Sequence, residues 1–174
     1  MREFVAVDVG SSPGRWSHAP EHLTLRFLGE VPGERNPRLL ELLAPVGEQS
    51  RPFRMRLEGV GAFPDRSRPR VLWQGVTDGR EELLGLAERV RAALAPEFGA
   101  ADEAFVPHLT LWRVRTPADR EAAAELLSGV RPAPPPRDVR VERFELKESV
   151  LERGGAVHRT LATFALGGRP GVVD

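Results

Sequence analysis

The tetrapeptide His22-Leu23-Thr24-Leu25 recurs at His108-Leu109-Thr110-Leu111. In an extended strand, successive side chains point to opposite faces. Each copy therefore holds an imidazole and a hydroxyl on one face and two leucines on the other. The leucines can enter a core while His22, Thr24, His108 and Thr110 line a cleft. Two imidazoles can serve as acid and base near neutral pH, and two hydroxyls can bond anionic oxygens. That set suits chemistry on a phosphate. Two packed histidines bonded to backbone, beside threonines chosen for strand propensity, are the competing explanation. The duplicated context favours the site.

The duplication extends beyond the tetrapeptide. Leu28-Gly29-Glu30-Val31-Pro32-Gly33 follows the first copy, then a pattern of Leu39, Leu40, Leu42 and Leu43. Val114-Arg115-Thr116-Pro117 follows the second, then Ala122, Ala123, Leu126 and Leu127. The histidines stand 86 residues apart, half the chain of 174. Strand–turn–helix twice predicts two similar lobes across a pseudo-twofold axis, with a cleft between them. A third match, His158-Arg159-Thr160-Leu161, has Arg as its intervening residue. Its surroundings, Val157, Leu161, Ala162, Phe164 and Leu166, show no clear polar face, and it reads as coincidence.

Elements that position the motifs follow from periodicity and breakers. Phe4–Val9 and Glu21–Glu30 are strands, and Pro37–Gly47 is a short helix with Asn36 as N-cap. Phe53–Val60 and Arg70–Val76 form a hairpin around Pro64-Asp65-Arg66-Ser67. Asp78 caps a helix over Arg80–Leu94. The second motif strand is His108–Arg115, and Thr116 caps a helix over Pro117–Leu127. Pro132–Pro136 is a stiff linker. Val139–Leu151 and His158–Leu166 are two closing strands joined by Gly154-Gly155. The expected class is α+β, with mixed or antiparallel sheets.

Bulk properties narrow the function. The 25 basic and 25 acidic residues cancel, so no global field draws the chain onto long nucleic acid or an anionic membrane. A chain end of RNA remains a fitting target. The absence of Cys excludes disulfides, thiolate nucleophiles and Cys-ligated zinc. There is no His-x-His and no Glu-x-x-His on a helix, so no metal is expected. No apolar run spans a membrane and the N-terminus lacks a signal pattern, so a cytoplasmic protein is expected.

Several segments resemble the two-histidine phosphoesterase superfamily, and within it the bacterial RNA 2′,3′-cyclic phosphodiesterases, also called 2′-5′ RNA ligases. They are His22–Val31, Gly59-Val60-Gly61-Ala62-Phe63-Pro64, Pro69-Arg70-Val71-Leu72-Trp73, Pro107–Leu111 and Glu148-Ser149. The resemblance implies a single bilobal domain over 1–174, with two antiparallel sheets around a central cleft and helices outside. The Gly59–Trp73 match favours the RNA-directed branch. His158 stands where relatives often carry Tyr, so no catalytic role is expected of it. Relatives usually carry a long helix before the first motif. Here Gly10-Ser11-Ser12-Pro13-Gly14 does not look helical, and an uncovered sheet face would favour a weak dimer over a monomer.

The resemblance also implies a mechanism without cofactor or metal. His22 is the acid that protonates O3′ of a 2′,3′-cyclic phosphate, and His108 is the base that activates water. Thr24 and Thr110 bond the non-bridging oxygens, and the product is a 2′-phosphate. With a 5′-hydroxyl replacing water, the reverse reaction forms a 2′-5′ linkage. Arg113 resembles a family arginine that contacts the phosphate. Arg26, by alternation on the His22 face, is a second candidate. Phe4, Trp16 and Phe27 are candidates for stacking on the terminal base. Expected partners are RNA 3′ ends or small cyclic-phosphate nucleotides. The alternative function is a non-catalytic binder of RNA ends or phosphorylated nucleotides, which would show no pH–rate profile.

Overall fold

The computed structural model describes residues 2–10, 21–101, 104–153 and 155–167. Its strands are β1 (Arg2–Gly10), β2 (Glu21–Glu30), β3 (Phe53–Phe63), β4 (Val71–Val76), β5 (His108–Arg113), β6 (Arg137–Val141), β7 (Arg143–Glu152) and β8 (Gly155–Ala165). The helices are α1 (Asn36–Gln49), α2 (Arg80–Phe98) and α3 (Pro117–Ser128). Two four-stranded antiparallel sheets run β2-β1-β7-β8 and β5-β4-β3-β6. The α+β class and the paired sheets agree with the sequence reading.

Each motif strand is thus the edge of its own sheet, and the two edges, β2 and β5, pack alongside one another. The reason lies in the leucines. Leu23, Leu25 and Leu109 enter one apolar cluster with Val5, Val7, Leu57, Leu39 and Leu43 of α1, and Leu83, Leu86, Val90 and Leu94 of α2. Full burial of each such side chain contributes about 1.5–3 kcal/mol. With these leucines in a shared core, strand alternation turns His22 and Thr24, and His108 and Thr110, away from it. A smaller cluster, Ala62, Leu72, Ala123 and Leu126, seats α3 on the second sheet.

Three expectations need correction. Val139–Leu151 is two strands, not one. β6 pairs with β3, and β7 pairs with β1 and β8, so the chain passes from one sheet to the other at Glu142. Asn36 is the first residue of α1 rather than its N-cap, because a 3-10 turn, Gly33–Arg35, leads directly into the helix. Asp78 does not cap α2. Gly79 does so without a side chain, at φ 70°. A Cβ there would lie 2.1 Å from the Arg54 carbonyl oxygen, so only glycine fits. The Thr116 cap is present as a reciprocal capping box with Asp119. Whether a helix precedes the first motif lies outside the described residues. No described helix is long and apolar enough to cross a membrane.

Candidate active site

The two motif strands carry the same irregularity at the same place. On β2, Ala6 pairs with Thr24 and Val5 with Arg26, leaving Leu25 as an extra residue. On β5, Trp73 pairs with Thr110 and Leu72 with Trp112, leaving Leu111 as the extra residue. Each bulge falls three residues after its histidine. A bulge bends its strand and reverses the alternation beyond it. Counted from the histidines, Arg26 corresponds to Trp112 in the other lobe, and Phe27 to Arg113.

That reversal corrects the expectation for Arg26. Its guanidinium leaves the His22 face and is buried at 5% exposure. It donates to the carbonyl oxygens of Arg91, within α2, at 3.0 Å, and of Phe98 at 3.2 Å and Gly99, at the end of that helix. Helix C-terminal carbonyls lack intrahelical donors, and a cation there also suits the helix dipole. Phe27, by contrast, is 71% exposed and adjacent to Phe4, with ring centroids 6.0 Å apart. Arg113 is exposed and close enough to His108 to perturb it. Phe4 offers no free face to a base. It is buried and backs His22, centroid to centroid 5.0 Å. Trp16 lies outside the described residues.

His108 is half-buried on β5. Its Nδ1 lies 2.7 Å from the Val106 carbonyl oxygen. A carbonyl can only accept, so Nδ1 donates and the neutral ring keeps Nε2 as a proton acceptor. Burial pushes the imidazole below its ordinary pKa. The Val106 bond opposes this, and the Arg113 charge reinforces it. Phe63 meets the ring edge-on at 4.9 Å, and Trp73 stands 6.4 Å away. The Trp73 indole lies over Gly61, where a Cβ would come within 2.1 Å of Cζ2.

His22 has different surroundings. Its cross-strand partner is Asp8, whereas the partner of His108 is Gly75. Asp8 Oδ2 accepts from Lys147 Nζ at 3.1 Å. Lys147 also donates to Glu145 at 2.7 Å and to the Thr160 hydroxyl at 3.2 Å, and Thr160 donates to Glu145 at 2.8 Å. Burial alone would push the Glu145 carboxyl up. The Lys147 and Thr160 bonds outweigh it and hold the group below the usual carboxylate range. His158 reaches His22 edge-on, with centroids 5.0 Å apart at 85°. β2 and β8 are opposite edges of one sheet, so this contact means the sheet curls into a trough.

The third His-x-Thr is therefore not a coincidence of composition without structural consequence. His158 and Thr160 share the concave face and meet the site, while Val157 and Leu161 are exposed. The sequence contains that signal, but the apolar neighbours conceal it. Asp8, Glu145 and Lys147 join the motif histidines without any local signal in the sequence, and Phe63 and Trp73 lie in segments that carry the family resemblance.

Residues 10–150 match the model of the 2′-5′ RNA ligase superfamily. The chain belongs to this family. An Aquifex aeolicus relative named RNA 2′,3′-cyclic phosphodiesterase is 35% identical over 159 residues, which cover 89% of this chain and 83% of the relative. A Thermus thermophilus relative of the same name is 37% identical over 166 residues, covering 90% and 78%. Among solved structures, a Thermus thermophilus protein superposes with TM-score 0.74 at 32% identity, covering 97% of this chain and 99% of that one. E. coli LigT in complex with 3′-AMP gives TM-score 0.71 at 26% identity, covering 97% and 99%.

Proposed function

We propose that this chain is an RNA 2′,3′-cyclic phosphodiesterase that opens cyclic phosphate termini to 2′-phosphates. The observation that carries the reading is the meeting of β2 and β5, with matched bulges, over one shared core. In this reading His22, Thr24, His108 and Thr110 face one cleft where the two strands meet.

The neutral His108 takes a proton on Nε2 from water, and the hydroxide attacks phosphorus opposite the P–O3′ bond. That bond breaks, and His22, starting as imidazolium, protonates O3′. The P–O2′ bond survives, so the product is a 2′-phosphomonoester with a free 3′-hydroxyl. Thr24 and Thr110 donate to the non-bridging oxygens, where charge develops. Arg113 adds a fixed positive charge. The asymmetry of the lobes supports this division of labour: Asp8 stands opposite His22, while burial and Arg113 disfavour a charged His108. No cofactor or metal enters this scheme.

Phe27 provides an exposed ring on which a terminal base can stack. Substrates are RNA 3′ ends or small cyclic-phosphate nucleotides, bound by a monomer or weak dimer. A cytoplasmic site of action fits a chain without cysteine. A 5′-hydroxyl in place of water would give 2′-5′ ligation through the same proton transfers. The test is phosphorus NMR of 2′,3′-cyclic AMP incubated with the protein. The expected product is 2′-AMP alone, and its formation should cease in His22→Ala and His108→Ala. Product as 3′-AMP, or turnover surviving either substitution, would refute the scheme. Binding without turnover would favour the non-catalytic reading.

A further inference from the structure

The Phe4, His22 and His158 rings form a closed triangle, with centroids 5.0, 5.0 and 5.2 Å apart. Phe4 lies tilted against His22 at 33°, and His158 stands edge-on to both other rings. His22 is thus held on two sides by rings from β1 and β8. The buried Nδ1 of His158 has no hydrogen-bond partner among the described residues. A second imidazole so close to the proposed acid raises the question of which of the two carries a proton.

We propose that His158 is a positioning residue: it fixes the His22 ring edge-on and stays neutral, so that the proton available to this imidazole pair resides on His22. The inference rests on the proposed acid role of His22.

The charge facing His158 acts in the required sense. Lys147, on β7, faces His158 and disfavours a second positive charge there, adding to the effect of burial. Asp8, on β1, is the cross-strand partner of His22, and its carboxylate accepts from Lys147 at 3.1 Å. Glu145 of β7 is taken up by Lys147, Thr160 and, at 3.5 Å, Arg143. Arg2 shares the face by register but stands exposed at its outer end. His108 and Arg113 lie on β5, in the other sheet. Two imidazoles this close titrate as a pair, so a charge on one disfavours a charge on the other. An imidazolium can meet a neighbouring neutral ring favourably, whereas two imidazolium rings repel.

The hydroxyl of Thr160 extends the arrangement. It anchors β8 to Lys147 and Glu145 two residues beyond His158. The third His-x-Thr thereby repeats the motif format in a supporting role. Its histidine steadies a reacting ring, and its threonine ties the strand to the floor of the trough.

The first test needs no mutation or turnover. Nitrogen–proton NMR of the histidine side chains, titrated from pH 5 to 8, should show His22 gaining its proton at higher pH than His158. At pH 7, His158 should be uncharged. The reverse order, or a charged His158 at pH 7, would overturn the proposal. The second test is kinetic, with 2′,3′-cyclic AMP. His158→Phe, which keeps a neutral ring, should retain kcat within about threefold. His158→Ala should lower kcat at least tenfold with KM within twofold. His158→Lys should move the alkaline limb of the kcat profile toward acid by about one pH unit. A wild-type kcat and profile in both His158→Ala and His158→Lys, or a loss confined to KM, would overturn it. If the wild-type protein opens no cyclic phosphate, the proposed function fails, and the titration still decides the state of His158.

Discussion

Replacing Arg26 with Met separates a structural role from a phosphate-binding one. The side-chain stem is kept and the guanidinium removed. The carbonyl oxygens of Phe98 and Gly99, at the C-terminal end of α2, and of Arg91, two turns earlier, then lose the guanidinium as a donor. Hydrogen bonds from a charged donor contribute about 1.5–3 kcal/mol each when a buried partner is left unmatched. These are part-buried, and water can reach some of the vacated positions. A net loss of about 2–4 kcal/mol follows. For a domain of this size, each kcal/mol moves Tm by about 2–4 °C, giving a fall of about 5–15 °C. The assay is thermal unfolding beside steady-state hydrolysis of 2′,3′-cyclic AMP well below the lowered Tm. KM and kcat should stay within about threefold of wild type, because the guanidinium points away from the His22 face. An unchanged Tm together with a tenfold higher KM would show that Arg26 holds substrate, and the bulge argument would fall.

Three further outcomes follow from the same geometry. Gly61→Ala forces the Trp73 indole off its seat, since the new Cβ would stand 2.1 Å from Cζ2. Overpacking of this kind costs about 1–3 kcal/mol, and Trp73 and Phe63 are the neighbours of His108, so denaturant melting should show the loss and kcat should fall as well. The acidic limb of kcat/KM, which reports the free base, should lie below pH 6.5, because burial foremost and Arg113 second disfavour a charged His108. Arg113→Gln should move that limb upward and raise KM. Finally, burial, with the Glu148 carboxylate beside it, raises the pKa of Glu3. A raised folded value contributes stability below the unfolded pKa and loses it as pH rises through the folded one. Glu3→Gln should therefore stabilise the protein at pH 7 and leave it unchanged near pH 3, as read by urea melts at both pH values.

The parts legible in the sequence are those set by local pattern. The strand Glu21–Glu30 matches β2 residue for residue, and the Thr116 cap is readable from Thr116-Pro117 with Asp119 three residues on. What escapes is set by partners distant along the chain. The apolar phase changes across Glu142-Arg143, from Val139 and Val141 to Phe144 and Leu146, but only pairing with β3 on one side and β1 on the other shows that the chain changes sheet there. Period-two reading assumes an unbroken ladder, so the bulge at Leu25 is invisible to it and Arg26 falls on the wrong face. Val157 and Leu161 suggest an apolar strand and so draw attention away from His158. The curl of the sheet, a property of four strands together, is what carries its ring to His22.

A crystal structure of the protein soaked in inorganic phosphate would test the paired-histidine site most directly. One phosphate should lie at the seam of β2 and β5, with a ring nitrogen of His22 and Nε2 of His108 each within about 3 Å of its oxygens. A phosphate held by one lobe alone, or two rings unable to reach the same anion, would contradict it.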